Sequence, residues 1–145
     1  MASVEKTVLV AYSAQQMFNL VDNVRDYPLF LPWCGGASAS QVDENKVHAT
    51  VHINYLSIKQ SFTTENHRTP PHQIDMSLQD GPFRHLDGCW RFIPLGESAC
   101  KIEFRLRYEF SSRLLEKLVG PVFHYIANSF VYAFIHRAQK VYQTT

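Results

Sequence analysis

The stretch CKIEFRLRYEFSSRLLEKLVGPVFHYIANSFVYAFIHRAQK, residues 100–140, changes its hydrophobic period part-way along. Over 100–110 the pattern is two-fold. Ile102, Phe104, Leu106, Tyr108 and Phe110 fall on one side, and Lys101, Glu103, Arg105, Arg107 and Glu109 on the other. That alternation predicts a long antiparallel strand with one apolar and one wet face. From Ser112 the apolar residues recur every three or four positions instead. Leu115, Leu118, Val119, Val122, Phe123, Ile126, Phe130, Phe134 and Ala138 mark one side of a long helix, with Arg137, Gln139, Lys140 and Gln143 on its polar flank. Ser112 is placed to cap this helix, and Glu116 to favour its positive end. Gly120-Pro121 interrupts the stripe and predicts a kink or a split into two helices.

Working outward, the residues ahead of this pair supply more strands. NKVHATVHINY, residues 45–55, alternates strictly, and LSIKQSFTTEN, 56–66, continues as a second strand carrying Ile58 and Phe62. The prolines of HRTPPHQ close it, because consecutive prolines cannot sit inside a ladder. IDMSLQ, 74–79, is a further strand, DGPF, 80–83, a turn, and RHLDGCWRFIP, 84–94, a strand with Leu86, Trp90 and Phe92 on one face. Near the start, VEKTVLVA, 4–11, reads as a strand. In SAQQMFNLVDNV, 13–24, Ser13 and Gln16 form a capping box ahead of Met17, Phe18, Leu20, Val21 and Val24 at helical spacing. The fold class is α+β: about seven mostly antiparallel strands, short helical structure after the first, and a C-terminal helix long enough to cover the sheet's apolar face. Residues 1–145 read as a single domain without repeats or linkers.

One segment stands apart. DYPLFLPWCGG, 26–36, puts Tyr27, Leu29, Phe30, Leu31 and Trp33 close together, punctuated by Pro28 and Pro32. The prolines rule out a long helix or a central strand, so this is a short helical turn or a loop as apolar as a core. Two readings follow. Leu29, Phe30 and Trp33 plug one end of the core, or Tyr27, Phe30 and Trp33 form a lid over a greasy ligand, with Gly35 and Gly36 letting the segment move.

Composition narrows the function. Aromatic residues are 13% of the chain, which favours a large apolar interior or a lined cavity. A net charge of +1 lacks the basic excess of a duplex-DNA binder, so DNA is not an expected partner. Cys34, Cys89 and Cys100 show no metal or disulfide spacing, and reduced thiols in a cytoplasmic protein are expected. The N-terminus is too short and polar for a signal peptide, and no run reaches a membrane span's length.

Catalytic candidates are sparse. The apolar strand faces carry Tyr55 and Tyr108 but no Asp, Glu, Lys or His. His48 and His52 share a polar face without a third ligand, so no metal site is expected. His124 and His136 sit on the margin of the helical stripe, and Cys34 is better explained by packing than by reactivity. No enzyme activity is expected.

YPLFLPWC (27–34), INYLSIKQSFTTEN (53–66), DGPFRHLDGCWRF (80–92) and FHYIANSFVYAFIHRAQKVY (123–142) together resemble the helix-grip (START-like) superfamily. The likeness is to its coenzyme Q-binding branch, which includes bacterial ribosome-association toxins. The resemblance implies a curved antiparallel sheet gripping the C-terminal helix, with a hydrophobic tunnel between them. In such a tunnel ubiquinone or a similar prenyl lipid would be a bound ligand rather than a catalytic cofactor. The expected ligand-binding residues are Tyr27, Phe30, Trp33 and Phe83, then Trp90, Phe92, Phe104 and Tyr108 from the strands, and Phe123, Ile126, Phe130 and Phe134 from the helix. An apolar rim around the opening would permit transient contact with the inner-membrane surface. The toxin-like members imply a second reading: binding to the large ribosomal subunit that hinders subunit joining. For that contact Lys101, Arg105 and Arg107 are the candidates. Lipid binding stands first and ribosome association second.

Overall fold

The computed structural model describes residues 1–142; Gln143 of the expected polar flank lies outside the described residues. The chain runs β1 (Ala2–Val10), α1 (Ala14–Asp22), a 3-10 turn (Val24–Leu29), β2 (Cys34–Asp43), β3 (Lys46–Tyr55), β4 (Ile58–Thr69), β5 (Gln73–Asp80), β6 (Phe83–Pro94), β7 (Cys100–Phe110) and α2 (Arg113–Val141). The strands form one antiparallel sheet in the order β1-β7-β6-β5-β4-β3-β2. β2 to β7 is a meander in which each strand pairs with the next, and β1 joins beside β7.

Alternation along β7 gives the sheet its inner face. Ile102, Phe104, Leu106, Tyr108 and Phe110 are all buried. Their β6 partners in register are Phe92, Trp90, Gly88, Leu86 and Phe83. Each large side chain removed from water there contributes roughly 1.5–3 kcal/mol. α2 lies against this face and touches strands far apart in the sheet. Tyr132 meets Lys6 of β1, Phe123 meets Tyr108 of β7 and Phe62 of β4, and Tyr125 meets Tyr55 of β3. At about 4.8 Å per strand, β1 to β3 spans roughly 24 Å in a flat sheet, whereas a helix is only about 10–12 Å across. The sheet therefore curves around the helix.

Both helices start where their caps predict. The Ser13 hydroxyl accepts from Gln16 N at 3.0 Å while Gln16 Oε1 accepts from Ser13 N at 2.9 Å. Ser112 Oγ accepts from Leu115 N at 3.2 Å. Ala14, Met17, Phe18 and Val21 form the buried face of α1, and Phe18 meets Phe92 edge-on at 5.9 Å.

Four expectations change. α2 is not split at Gly120-Pro121: it runs unbroken through Pro121, whose ring is exposed while Val119 and Phe123 on either side are held in the core. Leu118 is 58% exposed and leaves the stripe, with Ala127 and Val131 taking core positions instead. Gly35 and Gly36 are not a hinge but part of β2. A Cβ on Gly35 would lie 2.9 Å from Asn54 Cβ, so close strand approach accounts for that glycine. β4 extends past Asn66 to Thr69, directly before the proline pair. α2 is also long and apolar enough by composition to cross a membrane, yet its buried stripe is that of a core helix packed on a sheet.

β1 and β2 are the sheet's edges. The outer edge of β2 is met by the 3-10 segment, and Arg25 Nη2 donates to Ala39 O at 2.6 Å.

Candidate functional site

Between the inner face of the sheet and α2 lies a cavity of about 70 Å³. Ala49 and Val51 of β3, Phe62 of β4, Met76 of β5, Leu86 of β6, and Phe104 and Leu106 of β7 form its sheet wall. Phe123, Ile126, Ala127 and Phe130 form the helix wall, and Val24, Tyr27 and Trp33 close one side. Thr64 and Asn66 are its polar groups, with Thr64 Oγ1 donating to Asn66 Oδ1 at 2.7 Å. Small-molecule pockets usually hold about 300–1,000 Å³. Admitting a ring with a prenyl tail therefore requires wall side chains to move.

Of the residues expected to bind ligand, Tyr27, Trp33, Phe104, Phe123, Ile126 and Phe130 line the cavity. The others do not. Trp90 stands behind the wall, 4.5 Å from the Phe104 ring and 5.7 Å from Phe130, and Phe92 and Phe134 pack beside it. Phe83 belongs to an aromatic cluster with Phe62, Phe110 and Phe123. Tyr108 faces a separate shallow pocket beside His124. Phe30 lies outside, packed on Tyr27 and Phe134. Sequence reading missed Thr64 and Asn66, although they share the parity of Phe62 on the same strand and the period alone points them inward.

The segment between Pro28 and Trp33 is divided by depth. Tyr27, Leu31 and Trp33 are buried, while Pro28, Leu29 and Pro32 are exposed. The Tyr27 hydroxyl donates to Val21 O at 2.5 Å, and burial, with the charges of Asp22 and Cys34 adding to it, pushes the phenol well above its ordinary range. Trp33 is a partition: it borders the cavity within and a groove of about 580 Å³ outside. The outer groove runs between residues 28–33 and the exposed side of α2.

The chemistry available inside is limited. Among the described residues no Asp, Glu, Lys, His or Cys lines the cavity, and none form a group of three potential metal ligands. The buried Trp90 indole N–H finds no acceptor among the described residues. Burial raises the Cys34 thiol above its usual range, against the lowered value that a reactive thiol needs. His124 is held outside the cavity. Asn128 Nδ2 donates to His124 O at 2.9 Å and faces His124 Nε2 at 3.0 Å, so Nε2 accepts. The neutral ring then carries its proton on Nδ1, 3.0 Å from the Tyr108 hydroxyl.

Lys101, Arg105 and Arg107 occupy the outer face of β7, but carboxylates are interleaved with them. Glu103 bridges Arg91 and Lys101, and Asp87 bridges His85 and Arg107. Arg105 has no carboxylate partner among the described residues.

Residues 10–135 match the family model described as polyketide cyclase / dehydrase and lipid transport. The chain is 45% identical over 142 residues to the ribosome association toxin RatA of Vibrio cholerae, covering 98% of this chain and 99% of the relative. It is 28% identical over 139 residues to the mitochondrial coenzyme Q-binding protein COQ10 homolog B of Xenopus laevis, covering 92% of this chain and 57% of that one. Among solved structures, the Zhui aromatase/cyclase from Streptomyces sp. R1128 superposes with a TM-score of 0.84 over 99% of this chain and 96% of its own. At 15% identity that likeness carries the fold alone.

Proposed function

The chain belongs to the polyketide cyclase / dehydrase and lipid transport family, and we propose that within it this protein is a non-enzymatic ribosome-association factor that binds the large subunit and hinders subunit joining. The observation carrying this reading is the 45% identity, along nearly the whole of both chains, with a relative named as a ribosome association toxin. In the sequence reading lipid binding stands first; the lower identity and partial coverage of the COQ10 homologue are why we put ribosome association ahead of it here. A ribosomal partner puts the protein in the cytoplasm. The test is sucrose-gradient sedimentation of purified ribosomal subunits reassociating with and without the protein. The expected outcome is protein migrating with the large subunit and a reduced peak of joined ribosomes. An unchanged profile with all of the protein at the top of the gradient would overturn the reading.

A second reading rests on the cavity itself. An apolar chamber with one Thr–Asn pair, Thr64 buried and Asn66 half-buried, has the make-up of a site for a greasy molecule bearing a hydrogen-bonding head, and a prenylquinone is the proposed ligand. Native mass spectrometry of protein from a quinone-producing bacterial host should show a stoichiometric extra mass that extracts as a prenylquinone. Protein that arrives empty and refuses added quinone would remove this reading and leave the first untouched.

A further inference from the structure

Glu116 is the last acidic residue of the chain. Beyond it lie Lys117, Arg137 and Lys140 and no acidic side chain, a local charge of +3 against −2 for residues 1–116. The exposed side of α2 combines this excess with aromatic rings. Tyr125, Tyr132 and His136, at i, i+7 and i+11, lie opposite the buried Phe123 and Phe134. Both tyrosines are 53% exposed. The Tyr125 ring is backed by Tyr55, with centroids 6.0 Å apart and planes within 6° of parallel. Lys6 of β1 hangs 5.7 Å over the Tyr132 ring. No ion pair among the described residues involves Lys6, Arg137 or Lys140. Asp26, in the shallow cleft that Arg137 also borders, accepts instead from Asn23 at 2.9 Å.

Resting on the ribosome reading above, we propose that this face of α2, and not the outer face of β7, is the RNA-contact surface, and that it receives unpaired nucleotides of ribosomal RNA. Exposed rings supported from behind provide stacking platforms for splayed bases, and cations without carboxylate partners can meet phosphates, Lys140 from an exposed position and Arg137 from 5.2 Å over the Phe30 ring. The β7 face offers no exposed ring, and apart from Arg105 its charges alternate in sign and pair with one another. The centre of this face carries Tyr125, Ser129, Tyr132 and His136 and its rim the exposed Pro28, Leu29 and Pro32, so a bilayer is the competing occupant that the vesicle measurement below tests.

The experiment compares wild type, Arg137→Glu/Lys140→Glu, Lys140→Glu alone, Tyr132→Ala and Arg105→Glu/Arg107→Glu. Readouts are co-sedimentation with ribosomes, anisotropy of a labelled single-stranded oligouridine across a salt series, and thermal melting as the fold control. Lys140 is exposed and outside the core, so its variant keeps the test open should the double variant not fold. The expected result is a loss of at least about tenfold in both binding readouts for Arg137→Glu/Lys140→Glu, a smaller loss for Lys140→Glu, and near wild-type binding for Arg105→Glu/Arg107→Glu. The oligonucleotide salt slope should flatten by about 1.4 for two lost phosphate contacts, at about 0.7 each on single strands. Tyr132→Ala should weaken binding with little change of slope. Wild-type protein that sediments with ribosomes while the α2 variants match it would overturn the surface assignment alone. Wild-type protein that never sediments would overturn the ribosome reading, and this assignment with it. Loss of binding to anionic phosphatidylglycerol vesicles by the α2 variants, with ribosome binding intact, would overturn the proposal in favour of a membrane.

Discussion

Trp90 shows how much one side chain carries. Its indole is 1% exposed, stacked parallel to Phe92 and wedged against Phe104, yet its N–H has no acceptor among the described residues. An unmet buried donor costs about 1–3 kcal/mol, whereas emptying an aromatic site costs about 3–5 kcal/mol. Trp90→Phe should therefore lie within about 1–2 kcal/mol of wild type in urea unfolding, and Trp90→Ala several kcal/mol below it. Equal losses would mean that a ring face already satisfies the N–H. Cys100 supplies a second prediction. Burial pushes its thiol from 9.0 up to about 11. Above pH 9 the unfolded chain sheds a proton that the folded chain keeps, so the contribution to stability is whole below 9 and falls as pH climbs toward 11. Cys89 shifts likewise, through burial first and then Asp75. Urea midpoints below pH 9 and near 11 should show this fall, and Cys100→Ala should make it shallower. At this scale the sequence revealed parity better than depth. It put Trp90 and Phe104 on one face, but only packing distinguishes the residue that walls the cavity from the one behind it.

Among the elements, legibility followed the strength of the local pattern. β7 and α2 were plain because alternation and helical stripe run uninterrupted for many residues. β2 was not, since CGGASASQVD has almost no β-branched or aromatic residue and owes its strand form to pairing with β3, as in Ala37 opposite Val51. At Pro121, of the kink or split that local chemistry predicts, the split does not occur, because Val119 and Phe123 on either side are held in the core. Two glycines give opposite predictions. A Cβ on Gly120 would meet its nearest neighbours, Phe110 and Glu116, at 3.8 and 3.9 Å, so Gly120→Ala should gain roughly 0.5–1 kcal/mol. On Gly88 it would lie 2.7 Å from Met76 Cε and 3.0 Å from the Arg105 carbonyl, so Gly88→Ala should lose about 1–3 kcal/mol by wedging β6 from β7. Thermal melting of the pair decides both, and two shifts of the same sign would contradict the packing described for β6.

Over the whole molecule, the cavity and the exposed side of α2 lie on opposite sides of one helix, so the two proposed activities can be separated. Ala127 lines the cavity and is 3% exposed. Ala127→Leu should occupy that space, abolish uptake of a prenylquinone by native mass spectrometry and leave ribosome sedimentation unchanged. Loss of both would mean that filling the chamber distorts the outer face as well. The architecture was readable because both periods and their order survive in the sequence. The cavity's size was not, since it depends on how closely Phe130, Trp33 and Phe104 meet, and side-chain spacing along a chain does not encode that.

The segment that walls the cavity also shields the sheet's border. Arg25 occupies a carbonyl of β2, and the turn around it lies along that strand's free side. A movement of Trp33 large enough to admit a bulky guest loosens the same cover and bares unpaired backbone to other chains. Were the proposed guest to enter by this route, access to the interior would be tied to colloidal stability: easier uptake would lower the concentration at which the protein begins to self-associate.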